Sequence, residues 1–84
     1  MFGIIFSQQA AKFLRQAEKT LARRIAQKLE RLKTEPIIHD SKKIVGKDRR
    51  FRVRVGDYRI LYVIVLESQQ ILIERIDKRS RVYQ

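Results

Sequence analysis

No cysteine occurs in the chain, which excludes disulfide bridges and thiolate metal sites. A cysteine-free sequence fits a reducing cytoplasm. Long apolar runs are missing too: none approaches the roughly 18 residues that a bilayer span requires. The opening "MFGIIFSQQA" has no basic residue ahead of its short apolar stretch. It therefore does not read as a signal peptide but as a first strand. Acidic residues are scarce: nine Asp and Glu oppose twenty Lys and Arg, a formal net charge of +11. No paired carboxylates suggest a metal site, and a single histidine excludes a two-histidine nuclease. Neither a metal nor a small-molecule cofactor is expected.

The excess of positive charge is the strongest bulk signal. Residues 1–40 hold eight bases and four acids, a net of +4, and residues 41–84 hold twelve bases and five acids, a net of +7. Such a surface attracts polyanions through counterion release, which points to nucleic acid or the ribosome. A cationic surface that serves only solubility is the plainer reading, and an acidic protein partner fits either one. A membrane surface fits less well, because no helix pairs a strongly apolar face with a basic one. The 84 residues make one domain, 1–84, just above the size of ~70–80 residues at which a single core becomes thin.

Ser7 can cap a helix, and Ala10, Phe13, Leu14 and Ala17 then share one helical face. Thr20 offers a break and a new cap. Leu21, Ile25, Leu29 and Leu32 continue the stripe, with Arg23, Arg24, Gln27, Glu30 and Arg31 turned to water. Pro36, the only proline, ends this second helix, because the residue before a proline is pushed out of the helical region. A connection follows, with a short strand at "KKIV" and a turn at Gly46-Lys47-Asp48. From Arg49 the period becomes two, in "RRFRVRVGDYRILYVIVL". Gly56-Asp57 turns the chain, residues 58–66 form a central strand, "ESQQ" turns again, "ILIERI" is the last strand, and "DKRSRVYQ" is a basic tail. The expected fold is α+β: an N-terminal strand, then an antiparallel helical hairpin on one face of an antiparallel sheet. The other face is left open.

Alternation places Phe51, Val53 and Val55 on one face of a strand and Arg50, Arg52 and Arg54 on the other. The three arginines stand about 6–7 Å apart, close to the phosphate repeat of an extended RNA strand. Guanidinium groups grip phosphate with two prongs and stay charged at any usable pH. A charged edge strand is the alternative, but such strands usually mix signs, and this one does not. Arg59 has the parity of Leu61, Val63 and Val65 and starts a mostly buried row. It is either paired structurally, with Asp57 near, or aimed into a site where a desolvated cation stabilises phosphoryl charge. Lys42, Lys43, Lys78 and Arg81 add further phosphate contacts. Tyr83 among the tail's bases can stack on a nucleobase. His39 follows Pro36 in the connection, where a lone histidine is more often a surface residue than a catalytic one. If RNA is cut, its own 2′-OH is the nucleophile, which needs positioning, charge stabilisation and proton transfer.

Nearly the whole chain resembles the RelE/ParE superfamily of toxins from toxin–antitoxin systems. The resemblance runs through "FSQQAAKFL", "RIAQKLERLKTEP", "KKIVGKDRRFRVRVGDYRILYVI" and "LIERIDKRSRVYQ", and "RVRVGDYRILY" is its most specific piece. It implies a small α+β toxin held inactive by a cognate antitoxin. In the RelE branch, the free toxin enters the ribosomal A site and cuts mRNA, leaving a 2′,3′-cyclic phosphate. That branch's two strand lysines fall on Arg52 and Arg54, its "YR" arginine on Arg59, its late arginine on Arg79 and its terminal tyrosine on Tyr83. Arginine at both lysine positions removes a possible general base, since a guanidinium with a pKa above about 12 does not give up its proton. The tail beyond Tyr83 is short, which implies no extra terminal helix. The ParE branch, which poisons DNA gyrase without cutting RNA, shares the fold. A non-catalytic RNA-binding module has only the bulk charge behind it.

Overall fold

The computed structural model describes residues 1–44, 46 and 49–78. The elements run β1 (Gly3–Phe6), α1 (Gln8–Gln16), α2 (Lys19–Thr34), β2 (Lys42–Lys43), β3 (Arg50–Val55), β4 (Tyr58–Val65) and β5 (Gln70–Lys78). Ser7 caps α1 as expected, its hydroxyl oxygen accepting the Ala10 N–H at 3.1 Å. The break between the helices lies at Ala17 and Glu18, two residues before Thr20, which sits inside α2. Glu18 takes the cap position, where its charge favours the N-terminal end of the helix dipole. At the other end of α2, Glu35 leaves the helical region at φ −130° and ψ 86°, one residue before Pro36.

The sheet order is β1-β5-β4-β3-β2. β2 to β5 form the expected antiparallel meander, and β1 joins β5 in parallel, so the sheet is mixed. A parallel edge is open to this strand because the helices and the meander lie between β1 and its partner, a connection long enough for the crossover that parallel strands need. At the β3–β4 turn only Gly56 has a positive φ, +58°, at the first of two turn positions, which is the type II′ pattern.

Ile25, Leu29 and Leu32 from α2 and Ala10 from α1 close one sheet face over Phe51, Val53, Val55, Ile60, Tyr62, Ile64, Ile71, Ile73 and Ile76. Each large side chain buried there contributes about 1.5–3 kcal/mol. The spacing Ile71, Ile73, Ile76 slips by one residue because β5 carries an irregularity opposite Leu61 and Tyr62. Past the end of β1, side chains from the start of α1 take over the hydrogen bonding of β5. Ser7 Oγ donates to the Glu74 carbonyl at 2.7 Å. The Gln9 amide accepts from the Ile76 N–H and donates to its carbonyl, at 2.9 and 2.7 Å. The open edge is thus covered without further strand.

One buried hydroxyl organises the connection from α2 to β2. Tyr62 Oη donates to the Pro36 carbonyl at 2.7 Å and accepts from Ser41 Oγ at 2.7 Å. Ser41 Oγ in turn accepts the Ile38 N–H at 3.1 Å, while the Ser41 N–H returns to the Ile38 carbonyl at 2.8 Å. Burial raises the Tyr62 phenol above its ordinary value, so it stays neutral and able to donate. Tyr62→Phe keeps the ring stacked on Phe51 but leaves the Pro36 carbonyl without its donor. A loss of about 1–2 kcal/mol is expected in urea unfolding, with an unchanged m-value.

Candidate active-site cleft

β3 and β4 meet with Arg54 opposite Arg59 and Arg52 opposite Leu61, while Lys42 of β2 stands opposite Arg52. These pairings bring four cations from three strands to one end of the open face. A cleft of about 510 Å³ lies there, lined by Lys42, Arg52, Val53, Arg54 and Arg59, and by His39 and Asp40 from the connection. Arg59 is 2% exposed, a cation almost wholly removed from water. Its row is not the buried one expected: Ile60, Tyr62 and Ile64 face the helices, while Leu61, Val63 and Val65 are only half-buried on the open face. Like charges directly opposite are unfavourable, so Arg54 facing Arg59 is electrostatically strained. The negative charge nearest in register is Asp77, opposite Arg59 on β5, whereas Asp57 is exposed in the turn.

The connection brings two more titratable groups. Lys28 Nζ on α2 holds Asp40 Oδ2 at 2.8 Å, and His39 Nε2 meets Asp40 Oδ1 at 2.9 Å. The hydrogen bond from Lys28 holds the Asp40 carboxyl below its ordinary value of 3.8, with the Lys28, His39 and Arg31 charges acting in the same direction. Both Asp40 oxygens are therefore engaged.

The remaining candidates lie elsewhere. Arg50 is directed along the sheet to Glu74, with Nε to Oε1 at 3.2 Å and Nη2 to Oε2 at 3.4 Å. Lys43 stands opposite Phe51 at the exposed sheet edge. Lys78 ends β5 opposite Tyr58 instead of belonging to the tail. Arg79, Arg81 and Tyr83 lie outside the described residues, as do Val45, Lys47 and Asp48 of the expected strand end and turn. Sequence reasoning missed a second basic groove. Arg24, Lys28 and Arg31 of α2 line it with Arg54, which also lines the main cleft. The signal was available in the spacing i, i+4, i+7, which puts the three bases on one helical stripe.

A two-helix layer on a five-stranded sheet with a cationic cleft at one end defines a small α+β protein. Residues 4–83 match the family described as the ParE toxin of type II toxin–antitoxin systems, parDE, and the chain belongs to that family. It is a toxin of the RelE/ParE superfamily. A curated relative from Methanocaldococcus jannaschii, named "putative toxin RelE1", is 29% identical across 98% of this chain and 94% of its own. The toxin fold in the archaeal RelE–RelB complex of Pyrococcus horikoshii OT3 superposes with a TM-score of 0.83 at 27% identity, covering 95% of this chain and 97% of that one. The isolated RelE toxin of E. coli shares the fold with a TM-score of 0.84 at 23% identity, over 99% of this chain and 92% of that one.

The Lys28–Asp40 tether has a defined pH dependence. A depressed carboxyl pKa gives stabilisation that is present above the unfolded value and is lost as pH falls below it. In an NMR titration of the side-chain carboxyls, Asp40 should titrate below 3.8 in the native protein and move upward in Lys28→Met.

Proposed function

We propose that this toxin stops translation by cutting mRNA in the ribosomal A site, in the cytoplasm. The RNA 2′-oxygen attacks the adjacent phosphorus, the bond to the 5′-oxygen breaks, and a 2′,3′-cyclic phosphate remains. The observation that carries this reading is the convergence of Lys42, Arg52, Arg54 and the buried Arg59 on one cleft. Arg52 and Arg54 suit the non-bridging phosphate oxygens on either side of the scissile bond. Arg59, fixed and desolvated, is the group for charge that develops in the transition state, since its electrostatic effect is not screened by water. Arg79 and Tyr83 remain in the proposed site by their place in the family pattern, with Tyr83 stacking on a base. Lys43, Arg50, Lys78 and Arg81 are proposed as outer phosphate contacts, Arg50 in exchange for Glu74. The groove of Arg24, Lys28 and Arg31 carries the same RNA-binding surface onto α2.

The complexes of related RelE toxins with RelB support a cognate antitoxin here as well. An acidic, amphipathic segment laid over the basic cleft would neutralise it and block RNA. The ParE description of the family favours DNA gyrase as the competing target. Primer extension on mRNA in a translating extract separates the two. Cleavage within ribosome-bound codons is expected, and intact mRNA with stabilised gyrase–DNA breaks would reverse the assignment.

Two sets of variants test the parts. Arg59→Ala should lower the cleavage rate on saturating ribosomes by about 10²–10³-fold, the effect of removing one charge-stabilising donor, with the circular dichroism spectrum retained. Arg24→Glu with Arg31→Glu should instead weaken ribosome binding and flatten its salt dependence, leaving the rate at saturation within about twofold.

A further inference from the structure

We propose that His39 is the general base that takes the 2′-OH proton, with Asp40 as the residue that positions it. This assignment rests on the RNA-cleavage reading and supplies what that reading lacks. Attack by the 2′-oxygen releases a proton, and the guanidinium groups of Arg52, Arg54 and Arg59 have no lone pair free to accept it. Among the described residues of the cleft, His39, Asp40 and Lys42 carry groups that can, and of these three types only an imidazole ordinarily changes charge between about pH 5 and 8. Asp40 has Lys28 on one oxygen and His39 on the other, and Lys28 keeps it ionised well into acid. A carboxylate so held is a weak base but a good orienting group.

The imidazole is arranged for the opposite role. His39 Nε2 lies 2.9 Å from Asp40 Oδ1, and a neutral ring with its proton on that nitrogen carries its lone pair on Nδ1, the nitrogen left for a substrate proton. The His39 side chain is 82% exposed, so an incoming RNA strand can reach it. Its backbone is not loose: Tyr62 pins Pro36 and Ser41 on either side of it, and Lys28 ties Asp40 to α2. Asp40 beside it, Lys42 of β2, Arg52 and Arg54 of β3 and Arg59 of β4 line the cleft with this ring, and Lys28 and Arg31 of α2 act on Asp40. Among the described residues of the cleft, Asp40 is the one acid. The departing 5′-oxygen takes its proton from solvent, and the imidazolium later returns its own there.

Single-turnover cleavage of ribosome-bound mRNA between about pH 5 and 8, the range in which imidazoles change charge, tests the assignment in wild type, His39→Ala, His39→Gln and Asp40→Asn. Wild type should lose rate on the acid side. Both His39 variants should be about 100-fold slower, the usual worth of a general base. They should lose the acid limb and bind ribosomes as wild type does, and added imidazole should restore part of the rate to His39→Ala. Asp40→Asn should lower kcat with KM unchanged. Wild-type cleavage together with His39 variants that keep both rate and acid limb would overturn the assignment while RNA cleavage stands. An undiminished kcat in Asp40→Asn would overturn the positioning role. A wild-type protein that leaves mRNA intact throughout would remove the RNA-cleavage reading, and the general base with it.

Discussion

The segment between α2 and β2 must leave a helix, cross the end of the sheet and return as an edge strand without secondary structure of its own. Every backbone polar group in it that is cut off from water needs a partner, and the meander has none to spare. Tyr62 resolves this from beneath. Its ring belongs to the core and stacks on Phe51, while its hydroxyl reaches Pro36 and Ser41. The polar end of a core residue thus fixes the path of the loop that carries His39 and Asp40. Without that bond the cleft would keep its arginine floor and lose a defined wall.

The same division runs through the whole of β4. Ile60, Tyr62 and Ile64 meet the helices, and their burial holds the sheet flat against α1 and α2. Arg59, one residue before that row, is carried to the other face and out of water. A buried guanidinium opposite another arginine is an expensive arrangement for a small domain. It is intelligible where an anion completes it. Among the described residues, the acids nearest these cations are Asp77 and Glu74 of β5 and Asp40 of the connection. In the proposed reading, the same concentration of positive charge serves both an RNA strand and an acidic antitoxin segment.

Much of this was legible from residue types. Ser7 and Pro36 mark helix boundaries through bonds that any chain must make, and the structure places them where expected. The period of two set Arg50, Arg52 and Arg54 on the face away from Phe51, Val53 and Val55. Parity served less well at Arg59. An apolar run on both faces reads as buried on both, although the helices cover only one, so Leu61, Val63 and Val65 stand half in water. Lys78 was assigned to the tail because charge at a strand end resembles charge beyond it. Arg50 looked like its two neighbours, and the slip in β5 that accompanies its pairing with Glu74 has no mark in the residue pattern.

The amino-acid order by itself determined the two periodicities, the turn at Gly56, the stop at Pro36 and the surplus of cations. All of these follow from local sterics and side-chain chemistry. Tertiary structure alone decided which cations meet. Arg24, Lys28 and Arg31 are far in sequence from Arg54 and share a groove with it only because α2 crosses the end of β3. His39 is a lone surface histidine until the Tyr62 hydroxyl and the Lys28–Asp40 bond draw its loop against the arginines. Proximity across the chain is set by packing, and packing depends on all the buried residues together, which no short stretch of sequence contains.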